Sequence, residues 1–91
     1  MIYAKRHANV LAACDANLLG KRFEEKELVL DVKESFYMGE LVEEDELAAL
    51  LTSARNINLV GEKTIRVAKK NKMVGSIGRI KGVPYAMIFR L

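Results

Sequence analysis

Apolar residues fall in short alternating or clustered runs along the chain, and their spacing predicts most of its secondary structure. Residues 2–7 (IYAKRH) and 10–14 (VLAAC) read as two strands joined by a tight turn at Ala8-Asn9. Asn9 tolerates the positive φ such a turn often uses. In that hairpin residues 7 and 10 pair, so residues 3 and 14 pair as well. Asp15 is expected to cap a single turn, Ala16 to Leu19, closed by Gly20. From Glu27 to Glu34, Leu28, Leu30 and Val32 alternate with Val29, Asp31 and Lys33, the period-2 pattern of a half-buried strand. The segment Ser35 to Glu40 interrupts it with a glycine and two aromatics.

A helix is predicted next, because Leu47, Leu50, Leu51 and Ala54 form one apolar stripe at i, i+3, i+4 and i+7. Glu43, Glu44, Asp45 and Glu46 occupy its first turn, where acids meet the positive end of the helix dipole, and Arg55 its last. Asn56 suits a left-handed closing position. Ile57 to Val60 is a short apolar stretch stopped by Gly61. A second helix is predicted from about Glu62 to Asn71, with Ile65 and Ala68 facing the core and Lys63, Arg66 and Lys70 on the opposite face, which Val67 interrupts. Ile77 to Ile80, a Lys81-Gly82 turn and Val83 to Leu91 read as a C-terminal hairpin. Pro84 lacks a backbone donor, so its strand should lie at an edge or begin irregularly there. Together these elements predict a single α+β domain over residues 1–91, with a mainly antiparallel sheet and two main helices.

Composition narrows the class. Ninety-one residues leave no room for two cores, and 51% hydrophobic with 30% charged residues fits a compact folded domain. The apolar runs are too short for a transmembrane helix. No apolar segment follows Lys5, Arg6 and His7, so no secretory signal is expected, and a single cysteine fits a reducing cytoplasm.

The net charge of +3 hides a division. Residues 1–46 carry six cations against eleven acids, whereas residues 47–91 carry nine cations against Glu62 alone. Such asymmetry points to a polyanionic partner, or to attraction between the two halves within the fold. From Lys63 to Lys81 there are seven cations and no acid. Lys63, Arg66, Lys70, Lys72, Arg79 and Lys81 are therefore the candidate phosphate contacts, with Tyr85 as a candidate stacker on unpaired bases.

Other chemistries find less support. A structural zinc needs about four Cys or His ligands, and only Cys14 and His7 are present, so no metal site is expected. Those two would also be the sole thiol–base pair, yet the hairpin register sets Cys14 opposite Tyr3, far from His7. No Walker string or other cofactor motif occurs, and no cofactor is expected. Gly61 before a helix could place the amides of Gly61, Glu62 and Lys63 on an anion, but the Glu62 carboxylate competes for them. Gly75-Ser76-Ile77-Gly78 has the GxxG spacing of the KH clamp, although a KH loop joins two helices and a strand-like segment follows here. The balance favours a non-enzymatic RNA- or ribosome-associated binding domain. The alternative is a protein-interaction module for an acidic partner or a homo-oligomer, pairing through an edge strand around Val83 to Leu91.

Four strings in order carry a family likeness: Ala13-Cys14-Asp15 with Leu18-Leu19-Gly20-Lys21 and Phe23; Ser35-Phe36-Tyr37 with Gly39-Glu40; Asn58-Leu59-Val60-Gly61-Glu62; and Gly82-Val83-Pro84-Tyr85-Ala86. In this order they resemble the small archaeal family called domain of unknown function 424, over nearly the whole chain. The resemblance implies an archaeal cytoplasmic protein with a role near translation. It brings no established catalytic residues to carry over.

Overall fold

The computed structural model describes residues 1–73 and 75–90. The chain opens with the expected hairpin: β1 (Ile2–Arg6) runs antiparallel to β2 (Leu11–Asp15), with Tyr3 opposite Cys14 and the His7 amide donating to the Val10 carbonyl at 2.7 Å. A single 3-10 turn (Ala16–Leu18) follows, and Gly20 closes it at a φ of 83°. Asp15 makes no side-chain bond to that turn. Its carboxylate is used elsewhere, as described below.

The predicted strand in 27–34 is β4 (Leu28–Asp31), and it pairs with a strand that the sequence pattern did not announce, β3 (Arg22–Glu25). This ribbon forms its own two-stranded sheet. Its turn places Lys26 at a φ of 56°, so a lysine occupies the position where glycine or asparagine would have signalled a hairpin. The break at Ser35 to Glu40 resolves into a one-turn helix, α1 (Glu34–Tyr37), and the short strand β5 (Glu40–Val42).

The main helices are α2 (Glu44–Ser53) and α3 (Glu62–Lys70). At the start of α2 the Glu46 carboxylate accepts the Glu43 amide at 3.0 Å, which accounts for part of the acid run by local capping. The far end differs from expectation. Arg55 lies outside the helix, Ala54 is extended, and Asn56 starts β6 (Asn56–Val60) instead of turning left-handed. The cation there is Arg90, whose guanidinium donates to the carbonyls of Leu51, Thr52 and Ala54 at 2.7–3.2 Å. A residue 36 positions downstream thus satisfies the helix end that was expected to close locally.

The C-terminal hairpin comprises β7 (Gly78–Ile80) and β8 (Val83–Phe89), joined by Lys81 and Gly82 at φ values of 53° and 78°. Two successive left-handed residues match the primed turns that fit strand twist. The predicted end of this strand at Leu91 lies outside the described residues. The six-stranded sheet has the order β5-β1-β2-β6-β8-β7. All neighbours are antiparallel except β2 and β6, which run parallel. β8 therefore lies between two strands, and β7 forms the edge. Pro84 is accommodated because its carbonyl accepts the Gly61 amide at 2.8 Å. Its donor-less nitrogen faces the same side, where β6 has already ended at Val60.

Alternation along these strands builds two apolar layers. Ile2, Ala4, Leu11, Ala13, Ile57 and Leu59 meet Leu47 and Leu51 of α2 and Ile65, Val67 and Ala68 of α3. Ala12, Cys14 and Val60 face the other way, under Val32, Tyr37, Phe23 and Leu30. Val67 is buried, so it belongs to the inward side of α3 and leaves the charged face intact. The molecule is an α+β domain with mostly antiparallel strands.

Candidate nucleic-acid interface

The position of α3 is set at its first turn. Gly61 leaves β6 at a φ of 111°, a conformation L side chains rarely adopt, and a Cβ there would collide with the Asp15 carboxylate. That carboxylate, 6% exposed, accepts the Lys63 amide at 3.1 Å, the Thr64 amide at 2.9 Å and the Thr64 hydroxyl at 2.8 Å. The end of β2 therefore caps α3 from 48 residues away, and two of the three amides that were candidates for an exogenous anion are taken, that of Lys63 by Asp15 and that of Gly61 by the Pro84 carbonyl.

With its inner side locked, α3 presents Lys63, Arg66, Lys69 and Lys70 outward, all exposed. Lys72 follows, left-handed at a φ of 55°. Lys69 was not among the expected contacts, although its i+3 spacing from Arg66 signals the same side of the helix. With Glu62, Ile65 and Arg66 it lines a shallow groove of about 220 Å³. Arg79 on β7 borders the helix start, donating to Glu62 at 3.0 Å and to the Gly82 carbonyl at 2.9 Å.

Attraction between the two halves of the chain is visible here. Glu44 at the start of α2 accepts from Arg66 at 3.0 Å and lies 4.0 Å from Lys70. The Arg66 hydrogen bond, with the charges of Arg66, Lys70 and Lys63, holds the Glu44 carboxyl below its ordinary value. Of the cations along α3 and at its start, Arg66 and Lys70 meet Glu44 and Arg79 meets Glu62, while Lys63 lies beside Glu43 and Glu44.

The remaining candidates are distributed differently. Lys81 lies at the hairpin turn, its amide donating to Glu25 of the β3–β4 ribbon at 2.6 Å. Tyr85 is on the opposite side of the sheet from α3, packed with the layer containing Cys14 and Tyr37. A Cβ at Gly78 would run into the Tyr85 ring, so that ring covers the glycine. The structure groups the cations of α3 with Arg79 and separates Tyr85 from them.

Cys14 and His7 do not meet. Cys14 is buried, and burial together with the Asp15 charge pushes its thiol up to about 12. His7 stacks on Phe36 at a centroid distance of 4.6 Å, with Nε2 2.8 Å from the Phe36 carbonyl. Among the described residues the GxxG segment leads into β7 and joins no second helix. On the sheet side away from the helices, Met87 and Phe89 are 77% and 68% exposed, beside grooves that also include Val29, Asn56 and Asn58.

The fold and this surface define a small α+β domain with a basic helix laid across a mixed six-stranded sheet. Residues 3–91 match the family described as "Protein of unknown function (DUF424)", and the chain belongs to that family. It is similar to an uncharacterized conserved protein from the archaeon Methanopyrus kandleri, whose crystal structure superposes with a TM-score of 0.82 at 27% identity. That match covers 99% of this chain and 93% of the other. No curated protein matches the chain. Among the described residues no helix is long and apolar enough to cross a membrane.

Proposed function

We propose that the chain is a non-enzymatic RNA-binding domain that engages phosphates through the outward side of α3. The supporting observation is the exposed series Lys63, Arg66, Lys69 and Lys70 on α3 with Arg79 at its start, which exceeds the neighbouring Glu43, Glu44 and Glu62. Cations so placed displace counterions from a nucleic-acid backbone, a contribution to affinity that weakens with salt. A setting near translation, on the ribosome or on a free RNA, rests on the family resemblance alone. Lys81 extends the charged side toward the ribbon, and Tyr85 has no part in the phosphate contacts.

Titration of ribosomal RNA fragments at increasing salt tests this. Binding should tighten at low salt, and reversing Lys63, Arg66 and Lys70 to glutamate should lower the salt slope by about three. Glu44→Gln frees Arg66 and Lys70 and should strengthen binding a few-fold. Absent binding at low salt, or indifference to the triple reversal, overturns the reading.

The exposed Met87 and Phe89 favour a second reading, a protein-interaction module. With β8 flanked by β6 and β7, the contact would use the sheet surface in place of the edge strand expected from the sequence. Sedimentation of the purified chain decides this. A dimer lost in Met87→Lys/Phe89→Lys supports a homo-oligomer, and a monomer at high concentration removes it.

A further inference from the structure

Six arginines occur in the sequence, and four of them are committed. Arg22 pairs with Glu24, Arg66 with Glu44, Arg79 with Glu62, and Arg90 holds the carbonyls ending α2. Arg6 and Arg55 form no ion pair or side-chain hydrogen bond among the described residues. Both line the same cleft.

This cleft, of about 340 Å³, opens where the β1–β2 turn meets the junction between α2 and β6. Arg6 and Arg55 are far apart in sequence, and strand register brings them to one end of the sheet. Arg6 lies opposite Leu11, which lies opposite Ile57, two residues beyond Arg55. The lining also offers the side-chain amides of Asn9 and Asn56 and the ring of His7, and it includes no carboxylate; the Ser53 hydroxyl beside them donates to the Leu50 carbonyl. Its volume falls within the range of small-ligand sites, roughly 300–1,000 Å³.

One feature of this position opposes an anion: α2 ends here, and unpaired carbonyls at a helix C-terminus repel negative charge. Arg90 removes that objection by occupying the carbonyls of Leu51, Thr52 and Ala54. Two guanidinium groups without a carboxylate then border a polar cleft. Their planar donor forks match phosphate oxygens, which they bind bidentately.

We propose that this cleft binds a phosphate or pyrophosphate group between Arg6 and Arg55, with Asn9 and Asn56 as additional donors. The phosphate comes from a small phosphorylated metabolite or from the terminus of an RNA chain. No residue of α3 contributes, so this site stands or falls separately from the α3 reading.

Inorganic pyrophosphate titrated into the full chain, followed by amide chemical shifts, provides the test. Saturable shifts at Asn9, Arg55 and Asn56 are expected. Arg6→Gln/Arg55→Gln should weaken the binding at least about tenfold, whereas Lys63→Glu/Arg66→Glu/Lys70→Glu should leave it unchanged. Both arginines are exposed, and the amide spectrum of the double variant verifies its fold directly. A 5′-phosphorylated oligoribonucleotide binding better than its 5′-hydroxyl form, with the difference lost in the double variant, identifies an RNA end. Adenosine monophosphate binding as pyrophosphate does, without that difference, identifies a small metabolite. Shifts that do not saturate, that chloride reproduces equally, or that persist in the double variant overturn the proposal.

Discussion

Replacing Asp15 by alanine is expected to cost about 3 kcal/mol of folding free energy, the summed effect of a lost helix cap and buried donors left unpaired. Three donors converge on this carboxylate: the amides of Lys63 and Thr64 and the Thr64 hydroxyl, within a 0% exposed threonine environment. For a domain of this size, the loss corresponds to a fall in Tm on the order of 15 °C. Asp15→Asn retains an acceptor oxygen and should cost roughly half as much. Gly61→Ala should also be severe, because its φ of 111° disfavours a side chain and the added Cβ meets Asp15. The double variant separates these causes. With the carboxylate removed the collision is relieved, so Gly61→Ala should cost at least about 1 kcal/mol less in the Asp15→Ala background. Urea unfolding of the four proteins gives the cycle. Strict additivity would mean that the strain at Gly61 is independent of Asp15.

The same pair of residues shows what was legible in the sequence. Asp15 carries a cap signature, and a cap it is, but its helix lies 48 residues downstream because β2 and β6 run parallel and adjacent. Spacing within one segment cannot reveal that neighbour. Arg90 repeats the lesson at the end of α2, where a local Arg55-Asn56 closure was the natural expectation. Hairpins with local turns were readable: β1–β2 has the predicted register, and Lys81-Gly82 forms the predicted turn. The β3–β4 ribbon was half hidden, since Arg22 to Glu25 is mostly exposed and shows little apolar alternation. For the candidate interface, helical periodicity correctly placed Lys63, Arg66 and Lys70 on one exposed side. It had no access to their partner Glu44, which comes from the acidic half, or to the sheet surface that carries Tyr85 away from them.

Stability should also fall steeply at alkaline pH, for reasons located in the layer beneath α1. Burial pushes the Tyr37 hydroxyl up to about 12, with the Cys14 charge adding to it, and the Cys14 thiol likewise rises to about 12. Both groups are neutral when protonated, and both are raised in the folded chain relative to ordinary values of 9.0 for the thiol and 10.0 for the phenol. Between those values and 12, the unfolded chain has released protons that the native chain retains. Folding stability therefore decreases as pH rises through this window, by up to about 1.4 kcal/mol per pH unit for each group. Below about pH 9 the contribution is fully present; approaching pH 12 it is lost. Urea unfolding at a series of pH values should show a plateau followed by this decline. Cys14→Ala should remove the earlier part, which begins near the ordinary thiol value, and Tyr37→Phe the later part. The two groups share one buried layer, so ionising either opposes ionising the other, and the variants should interact. Tyrosinate absorbance provides an independent readout, with Tyr37 titrating late in the native chain and earlier on unfolding. A stability profile that declines identically in wild type and in Cys14→Ala/Tyr37→Phe would show that these two groups do not set the alkaline transition.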